Sequence, residues 1–384
     1  MLSLPPLALY IHIPWCVKKC PYCDFNSHGL KAALPQDAYV AALLRDLEQD
    51  LPLVWGRPVT SIFFGGGTPS LFDAAHIGAI LDGVSARLPL RPGLEVTLET
   101  NPGTVEHDRF EGYRSAGINR ISFGVQSFDD GCLARLGRIH DSAQASAAIK
   151  LARAAGIDNF NIDLMYALPE QSLDMALADV AQAIALEPTH LSHYQLTLEP
   201  NTLFHARPPA GLPEDDTAWD MQEACQAALA VGGYAQYEVS AYAQPHRQCA
   251  HNINYWRFGD YLGIGAGAHA KITLPANDGI LRRFKPKHPQ AFMDAAGTPA
   301  GIGGDEWIAE DQRPFEFMLN ALRLNQGFSM LDFEARTGLP KETIAVALDT
   351  ALRNGWLQQT QPHHWQPTVL GQRFLNDVVA LFMA

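Results

Sequence analysis

Residues 10–25 read YIHIPWCVKKCPYCDF, and the interpretation of the whole chain turns on this stretch. Leu7 to Ile13 is a short apolar run of strand length. It opens into a loop carrying Cys16, Cys20 and Cys23 at C-x3-C-x2-C spacing. Three thiolates from one loop can hold three irons of a cubane iron–sulfur cluster and leave the fourth iron without a protein ligand. Such an open position is what a metal centre needs to bind a substrate. The cysteines alone also allow zinc, with His12 or His28 as fourth ligand. A disulfide framework is disfavoured, because six cysteines are few for 384 residues and the other three are scattered. Cys132, Cys225 and Cys249 read as small buried apolar residues.

The length suits one barrel-sized domain plus a smaller one, and 47% hydrophobic with 18% charged residues marks a globular chain. A net charge of −13 argues against nucleic acid as the main partner, since phosphate binding leans on clustered Lys and Arg. No apolar run approaches the roughly 20 residues of a membrane span. Met1 to Ile13 is apolar but has neither a basic n-region nor a small-residue cleavage site, so it reads as the first strand. The expectation is a cytoplasmic protein with no integral membrane segment.

Along the chain, strand and helix patterns alternate. Helical spacing over Pro35 to Leu51 stops before Pro52. A strand over Val59 to Phe64 ends in Gly65-Gly66-Gly67-Thr68-Pro69, and a helix follows over Asp73 to Leu88. A strand over Leu94 to Leu98 ends in Glu99 and Asn101, with a helix from near Thr104. Further strands are expected over Ile118 to Phe123, Asn159 to Leu164 and His190 to Leu198, separated by helices over 130–136, 142–155 and 173–186. Six alternations over about 200 residues predict a parallel sheet closed by right-handed crossovers into a full or partial barrel.

The polar motifs fall just past the strand ends: the cysteines, the glycines, Glu99, Gln126 and Asp163. In barrels of this class that face carries the active site, so five separate features converge on one rim. Taken singly, each has a plainer reading. Gly65 to Pro69 lacks the Lys-Ser/Thr of a phosphate loop and could be a tight turn, although glycines also permit close backbone approach to a ligand. Glu99 can accept from an ammonium, Gln126 and Asp163 suit ribose hydroxyls, and Arg138 can meet a carboxylate with two parallel bonds. Tyr22 could pack on an adenine or shield a cluster.

Taken together, YIHIPWCVKKCPYCDFNSH, FFGGGTPS, LETNPGT, RISFGVQSF, RLGRIH and NIDLMYALP resemble the radical S-adenosylmethionine (SAM) superfamily, and within it the oxygen-independent coproporphyrinogen III oxidase group. The resemblance covers residues 1 to about 270. It implies a partial (β/α)6 barrel, a 4Fe-4S cluster on Cys16, Cys20 and Cys23, and SAM contacts from Tyr10, Tyr22, Gly66, Gly67, Thr68, Glu99, Gln126, Arg138 and Asp163. The chain departs from the oxidases in two places. Phe25 stands where they carry a fourth cysteine, and only 15 residues precede Cys16. Both departures match the paralogous HemW branch, regarded as heme-binding chaperones. That branch implies heme as cargo, an electron donor, and acceptor hemoproteins that include respiratory enzymes.

HemW-like chains share His251-Asn252-Ile-Asn-Tyr255-Trp256 and Gly263-Ile-Gly-Ala-Gly267-Ala-His269, both present here. An imidazole is a common axial ligand of heme iron, and aromatics stack on porphyrins. His251 is therefore the first candidate for heme. His269, His12, His140 and Cys249 stay open as alternatives, and so does a purely structural role for the motif.

Residues 241–304 read as a connecting region, with a basic patch at Arg282, Arg283, Lys285 and Lys287 that could face heme propionates or solvent. Residues 305–384 read as a small winged-helix-like domain with helices over 314–324, 331–337, 341–354 and 369–381. A hairpin is expected over 356–359 and 365–368. Its 10 acidic and 6 basic side chains disfavour DNA binding and suggest a lid or docking role. The competing functions are the coproporphyrinogen oxidase activity itself and a zinc-stabilised barrel.

Overall fold

The computed structural model describes residues 2–104 and 107–383. Six strands run in parallel: β1 (Leu7–Ile13), β2 (Val59–Gly66), β3 (Leu90–Thr100), β4 (Arg120–Gln126), β5 (Phe160–Tyr166) and β6 (His190–Gln195). Helices cover the crossovers: α1 (Gln36–Val54), α2 (Ala74–Ser85), α3 (His107–Ala116), α4 (Asp130–Arg135), α5 (Ser142–Ala154) and α6 (Leu173–Ala185). With helices on one side and packed side chains on the other, the strands are buried on both faces, as the near-continuous apolar run of β1 required. Local chemistry sets the helix starts. Asp141 and Gln144 form a reciprocal capping box at α5, and Ser172 accepts from Met175 N at α6. This is the expected partial (β/α)6 barrel.

The sheet is larger than the alternation alone indicated. After helix α7 (Asp215–Val231) come β7 (Ala235–Gln236) and β8 (Ala241–Ala243), then helix α8 (Ala250–Trp256) and strands β9 (Asp260–Ile264), β10 (His269–Leu274), β11 (Gly279–Phe284) and β12 (Gly304–Trp307). The 12-stranded order is β12-β11-β10-β9-β1-β2-β3-β4-β5-β6-β8-β7. Residues 241–304, expected as a connection, thus supply strands at both ends of the sheet. β9 lies parallel to β1, so it shares the barrel's rim.

Several other expectations change. Helix α1 runs through Pro52, because the turn beyond it buries Val54 in the core. β6 stops at Gln195, where its ladder with Tyr166 at the end of β5 runs out. The start expected for the third helix near Thr104 meets a short 3-10 turn, Pro102–Thr104, and residues 105 and 106 lie outside the described residues. The basic stretch is not a patch. Arg283 and Lys285 are buried and paired with Asp50, Asp46 and Asp305, and Arg282 pairs with Glu316. Only Lys287 of the four is exposed.

The C-terminal unit has the expected winged-helix order. Helices Arg313–Ala321, Met330–Thr337 and Ala345–Arg353 pack with a three-stranded sheet of Phe328–Ser329, His364–Pro367 and Leu357–Gln361. The first of these strands is too short to leave a sequence period. The last helix breaks at Phe374 into Val369–Arg373 and Leu375–Ala380. The unit's core, built on Phe317, Phe328 and Phe333, also takes in Leu2, Phe258 and Ile280, which seats it against the edge of the large sheet.

Candidate functional site

At the rim, the loop after β1 is held by its backbone. His28 N donates to Pro14 O and Leu30 N to Cys16 O, forming a two-residue parallel pair around the cysteines. Cys16, Cys20 and Cys23 are unpaired and half-buried. Polar groups face each sulfur: Thr68 Oγ1 donates to Cys16 at 3.5 Å, Arg138 Nη1 to Cys20 at 3.5 Å, and Ser27 Oγ lies 3.9 Å from Cys23. Burial pushes the thiols of Cys16 and Cys23 up from the ordinary range, so a bound cation would be needed to keep them as thiolates.

The glycines after β2 are pressed onto this loop. Gly67 N donates to Ile13 O and Thr68 N to Trp15 O, both at 2.7 Å. Gly66 is left-handed, at φ 113°, and a Cβ there would stand 2.5 Å from the His12 ring. These residues are small because backbone, loop and imidazole share one space. The Gly66 amide donates to Glu99 Oε2 at 3.1 Å, which aims that carboxyl into the site.

Glu99 and Asp163 face one another from the ends of β3 and within β5. Protein surrounds Glu99 except on its cavity side. Burial first, then the charge of Asp163, raise its pKa to about 8. Asp163 is raised too, chiefly by burial, and is held by Ser122 Oγ at 3.2 Å and Asn161 Nδ2 at 2.8 Å. Two carboxyls with a penalty on their charged forms make a place where a cation or a hydroxyl donor is favoured. Gln126 lies beyond a bulge in the β4–β5 ladder, at φ 75°, which re-aims its side chain to accept from Tyr194 Oη at 3.0 Å. Arg138 donates to Tyr22 Oη and to Gly124 O, while its buried Nε has no partner among the described residues.

A cavity of about 480 Å³ gathers the three cysteines, Tyr22, Gly66, Gly67, Thr68, Glu99, Gln126, Arg138 and Asp163. A second, of about 1010 Å³, holds Tyr10, His12, His251, Tyr255 and His269, and both are lined by Gly66, Glu99 and Asp163. The residues fit an open-coordinated cluster with a zwitterionic ligand beside it. Three thiols lie on one wall, an unpartnered guanidinium nitrogen suits a carboxylate, and a raised carboxyl suits an ammonium. Among the described residues no three His, Cys, Asp or Glu side chains are gathered as around one metal ion. Of the two fourth ligands open to zinc, His12 has Nδ1 and Nε2 on Tyr10 Oη and Asn26 O, and His28 has Nε2 3.3 Å from Asn26 Oδ1 and Lys287 O.

The heme candidates separate sharply. His251 is 1% exposed, stacked on Phe63, and both nitrogens are engaged, Nδ1 with Ser61 Oγ and Nε2 with Tyr255 Oη, each at 3.1 Å. His140 is likewise spent on Asn101 and Val125 O, and Cys249 is buried against Glu95. His269 is exposed, and its ring carries no hydrogen bond among the described residues. Sequence reading missed Tyr194, Ser122 and Asn161, which orient Gln126 and Asp163. The only available signal was that Asn161 and Asp163, two apart on one strand, share a face.

Residues 10–182 match the family described as the Radical SAM superfamily, and residues 308–374 match the HemN C-terminal domain. The chain is 53% identical to the heme chaperone HemW of Escherichia coli (strain K12), with all of both chains covered. It is 48% identical to the HemW of Haemophilus influenzae over all of this chain and 99% of that one. It is 34% identical to the HemW of Mycobacterium tuberculosis (strain H37Rv) over 89% and 87% of the two chains. Among solved structures, the coproporphyrinogen III oxidase HemN of Escherichia coli superposes with a TM-score of 0.83 at 23% identity, covering 99% of this chain and 90% of that one, which shows a shared fold.

Proposed function

The chain belongs to the HemW family of radical SAM proteins, and from that membership we propose that it is a heme chaperone that binds heme and passes it to acceptor hemoproteins. In this reading Cys16, Cys20 and Cys23 hold a 4Fe-4S cluster. Glu99 takes the ammonium of SAM, Arg138 its carboxylate, Asp163 and Gln126 the ribose hydroxyls, and Tyr22 the adenine. Bound there, cluster and SAM supply one-electron cleavage of a sulfonium. The chain's own part is to orient and to exclude water. Gly66 and Gly67 bring backbone within reach of the ligand, and the lining of Glu99 by protein keeps its bond to the ammonium strong. Respiratory enzymes are the acceptors this reading favours, an electron donor must reduce the cluster, and unpaired cysteines suit the reducing cytoplasm.

The observation that carries the reading is Phe25. It sits two residues past Cys23, where the oxidases carry a fourth cysteine, and it is 57% exposed beside both cavities. A large apolar side chain left in water at the rim suits docking of a flat apolar ligand. The winged-helix unit would then serve as a docking element for the acceptor. Anaerobically reconstituted protein is expected to bind heme saturably near one per chain and to load an apo-hemoprotein on mixing. No saturable uptake would overturn this function.

The large cavity beside the SAM site favours one second reading, oxidative decarboxylation of coproporphyrinogen III inside the barrel. Anaerobic conversion of that substrate by the reconstituted protein would establish it.

A further inference from the structure

His251 is held from two neighbouring strands of the barrel wall. Helix α8 has no side-chain cap of its own at Cys249. In its place the Glu95 carboxylate of β3 accepts from His251 N at 3.3 Å and from Cys249 Sγ at 3.4 Å, and Arg120 Nη1 lies 3.5 Å from that carboxylate. The imidazole itself lies across the inner face of β2, which Ser61 and Phe63 share because they are two residues apart. Phe63 stacks on the ring with centroids 5.0 Å apart, and Ser61 Oγ meets Nδ1 at 3.1 Å. Ser61 and Glu95 are register partners in the β2–β3 ladder, so one rung of the sheet fixes both the backbone and the ring of His251. The cluster site uses neither residue.

The two ring nitrogens face different surroundings. Nδ1 is turned toward the strand, at a serine that is 1% exposed. Nε2 meets Tyr255 Oη at 3.1 Å, and Tyr255 and His251 both line the 1010 Å³ cavity. Tyr255 follows four residues later on α8, with its ring edge-on to the imidazole at 4.9 Å. Burial drives the imidazole pKa down to about 3, so the ring is neutral and carries one proton between its two nitrogens. With a hydroxyl at each nitrogen either tautomer is satisfied, because a hydroxyl both donates and accepts. An iron arriving from the cavity removes that freedom. It takes the lone pair of Nε2, displaces the Tyr255 hydroxyl and leaves the proton on Nδ1, where Ser61 Oγ stands in place to accept it.

We propose that Ser61 is a positioning residue for heme binding, which accepts the Nδ1 proton of His251 so that Nε2 is presented to the iron from the cavity side. This rests on the chaperone reading above, with His251 of α8 as the ligand. The bond has two effects. It fixes the tautomer and the plane of the ring before heme arrives, and it makes the imidazole a more basic donor, which favours ferric over ferrous iron. Binding releases no proton and changes no oxidation state. The imidazole lone pair replaces a water on the iron, and the Tyr255 hydroxyl exchanges its bond to Nε2 for one to water in the cavity.

The test is a ferric heme titration of anaerobically reconstituted protein, followed by a redox titration of the heme-loaded chain, with His251→Ala, Ser61→Ala and Ser61→Thr. His251→Ala should lose the wild-type Soret band. Ser61→Ala is expected to weaken ferric heme binding about ten- to a hundredfold, as loss of the partner behind a metal-bound histidine does. It should also raise the heme midpoint potential, and Ser61→Thr, which keeps the hydroxyl, should restore both. A serine that merely packs would weaken binding without moving the potential. Folded Ser61→Ala with the wild-type potential therefore overturns the assignment and leaves the chaperone reading standing. His251→Ala that keeps the wild-type band overturns it too, by placing the ligand elsewhere. If the wild-type chain takes up no heme, the chaperone reading itself fails.

Discussion

Gly67 lies directly against the backbone of Trp15: a Cβ on the glycine would stand 2.5 Å from the Trp15 carbonyl oxygen and 2.9 Å from its nitrogen. The neighbouring Thr68 amide bonds that same carbonyl at 2.7 Å. The glycine segment and the cysteine loop are thus one packed unit, and the loop's position depends on the absence of one methyl group.

Gly67→Ala should therefore cost on the order of 1–3 kcal/mol, as overpacking of a close contact does. Because backbone cannot swing aside, the cysteine loop moves. Denaturant unfolding should show the loss, and iron per chain after reconstitution should fall with it. Wild-type stability and iron content in the variant would contradict the packing argument.

Cys20→Ala should abolish the cluster with little effect on the fold. The loop backbone is held by the His28–Pro14 and Leu30–Cys16 bonds, which need no thiol. Iron and acid-labile sulfide should fall to background, while far-UV circular dichroism stays unchanged. A chelator applied to the wild-type protein should give the same result.

Glu99 makes stability fall as pH rises. In the folded chain its proton is held to about pH 8, whereas the unfolded group releases it near 4.5. Between those values the native state binds more protons than the unfolded one, so the Glu99 contribution is greatest below about 4.5, declines through the interval and levels off above about 8. Glu99→Gln should flatten this slope in melts of the ligand-free protein between pH 5 and 8. The same substitution should weaken SAM binding by roughly 1.5–3 kcal/mol, the worth of a hydrogen bond to a charged group.

Lys285 is fully buried between Asp46 and Asp50, at 2.6 and 2.7 Å. Lys285→Met leaves two buried carboxylates without their ammonium, although Arg283 still meets Asp50. A loss of about 3–5 kcal/mol is expected. Asp46 also holds the Gly265 amide, so amide exchange in the 265–269 turn should quicken in this variant. An unchanged turn would show that Asp46 keeps its geometry without the lysine.

The sequence by itself determined much of the barrel and the cluster loop. Cys16, Cys20 and Cys23 are local in the chain. The apolar strands alternate with amphipathic helices, and the motifs at Gly65–Gly67, Glu99 and Gln126 sit at strand ends, so the topology carries them to one rim, while Asp163, expected there too, lies in the middle of β5 and faces the same cavity. Short-range period and spacing suffice for such features. What only the tertiary structure decided depends on partners far apart in the chain. Residues 260–307 join the sheet because β9 pairs with β1 some 250 residues earlier, and no local pattern records that pairing. Arg283 and Lys285 look like a solvated basic run until Asp46 and Asp50 arrive from α1. On paper His251 is the first candidate for heme and His269 one of its alternatives. Folding bonds one to Ser61 and Tyr255 and leaves the other's ring without a hydrogen bond among the described residues, because hydrogen-bond partners are set by packing rather than by sequence neighbours.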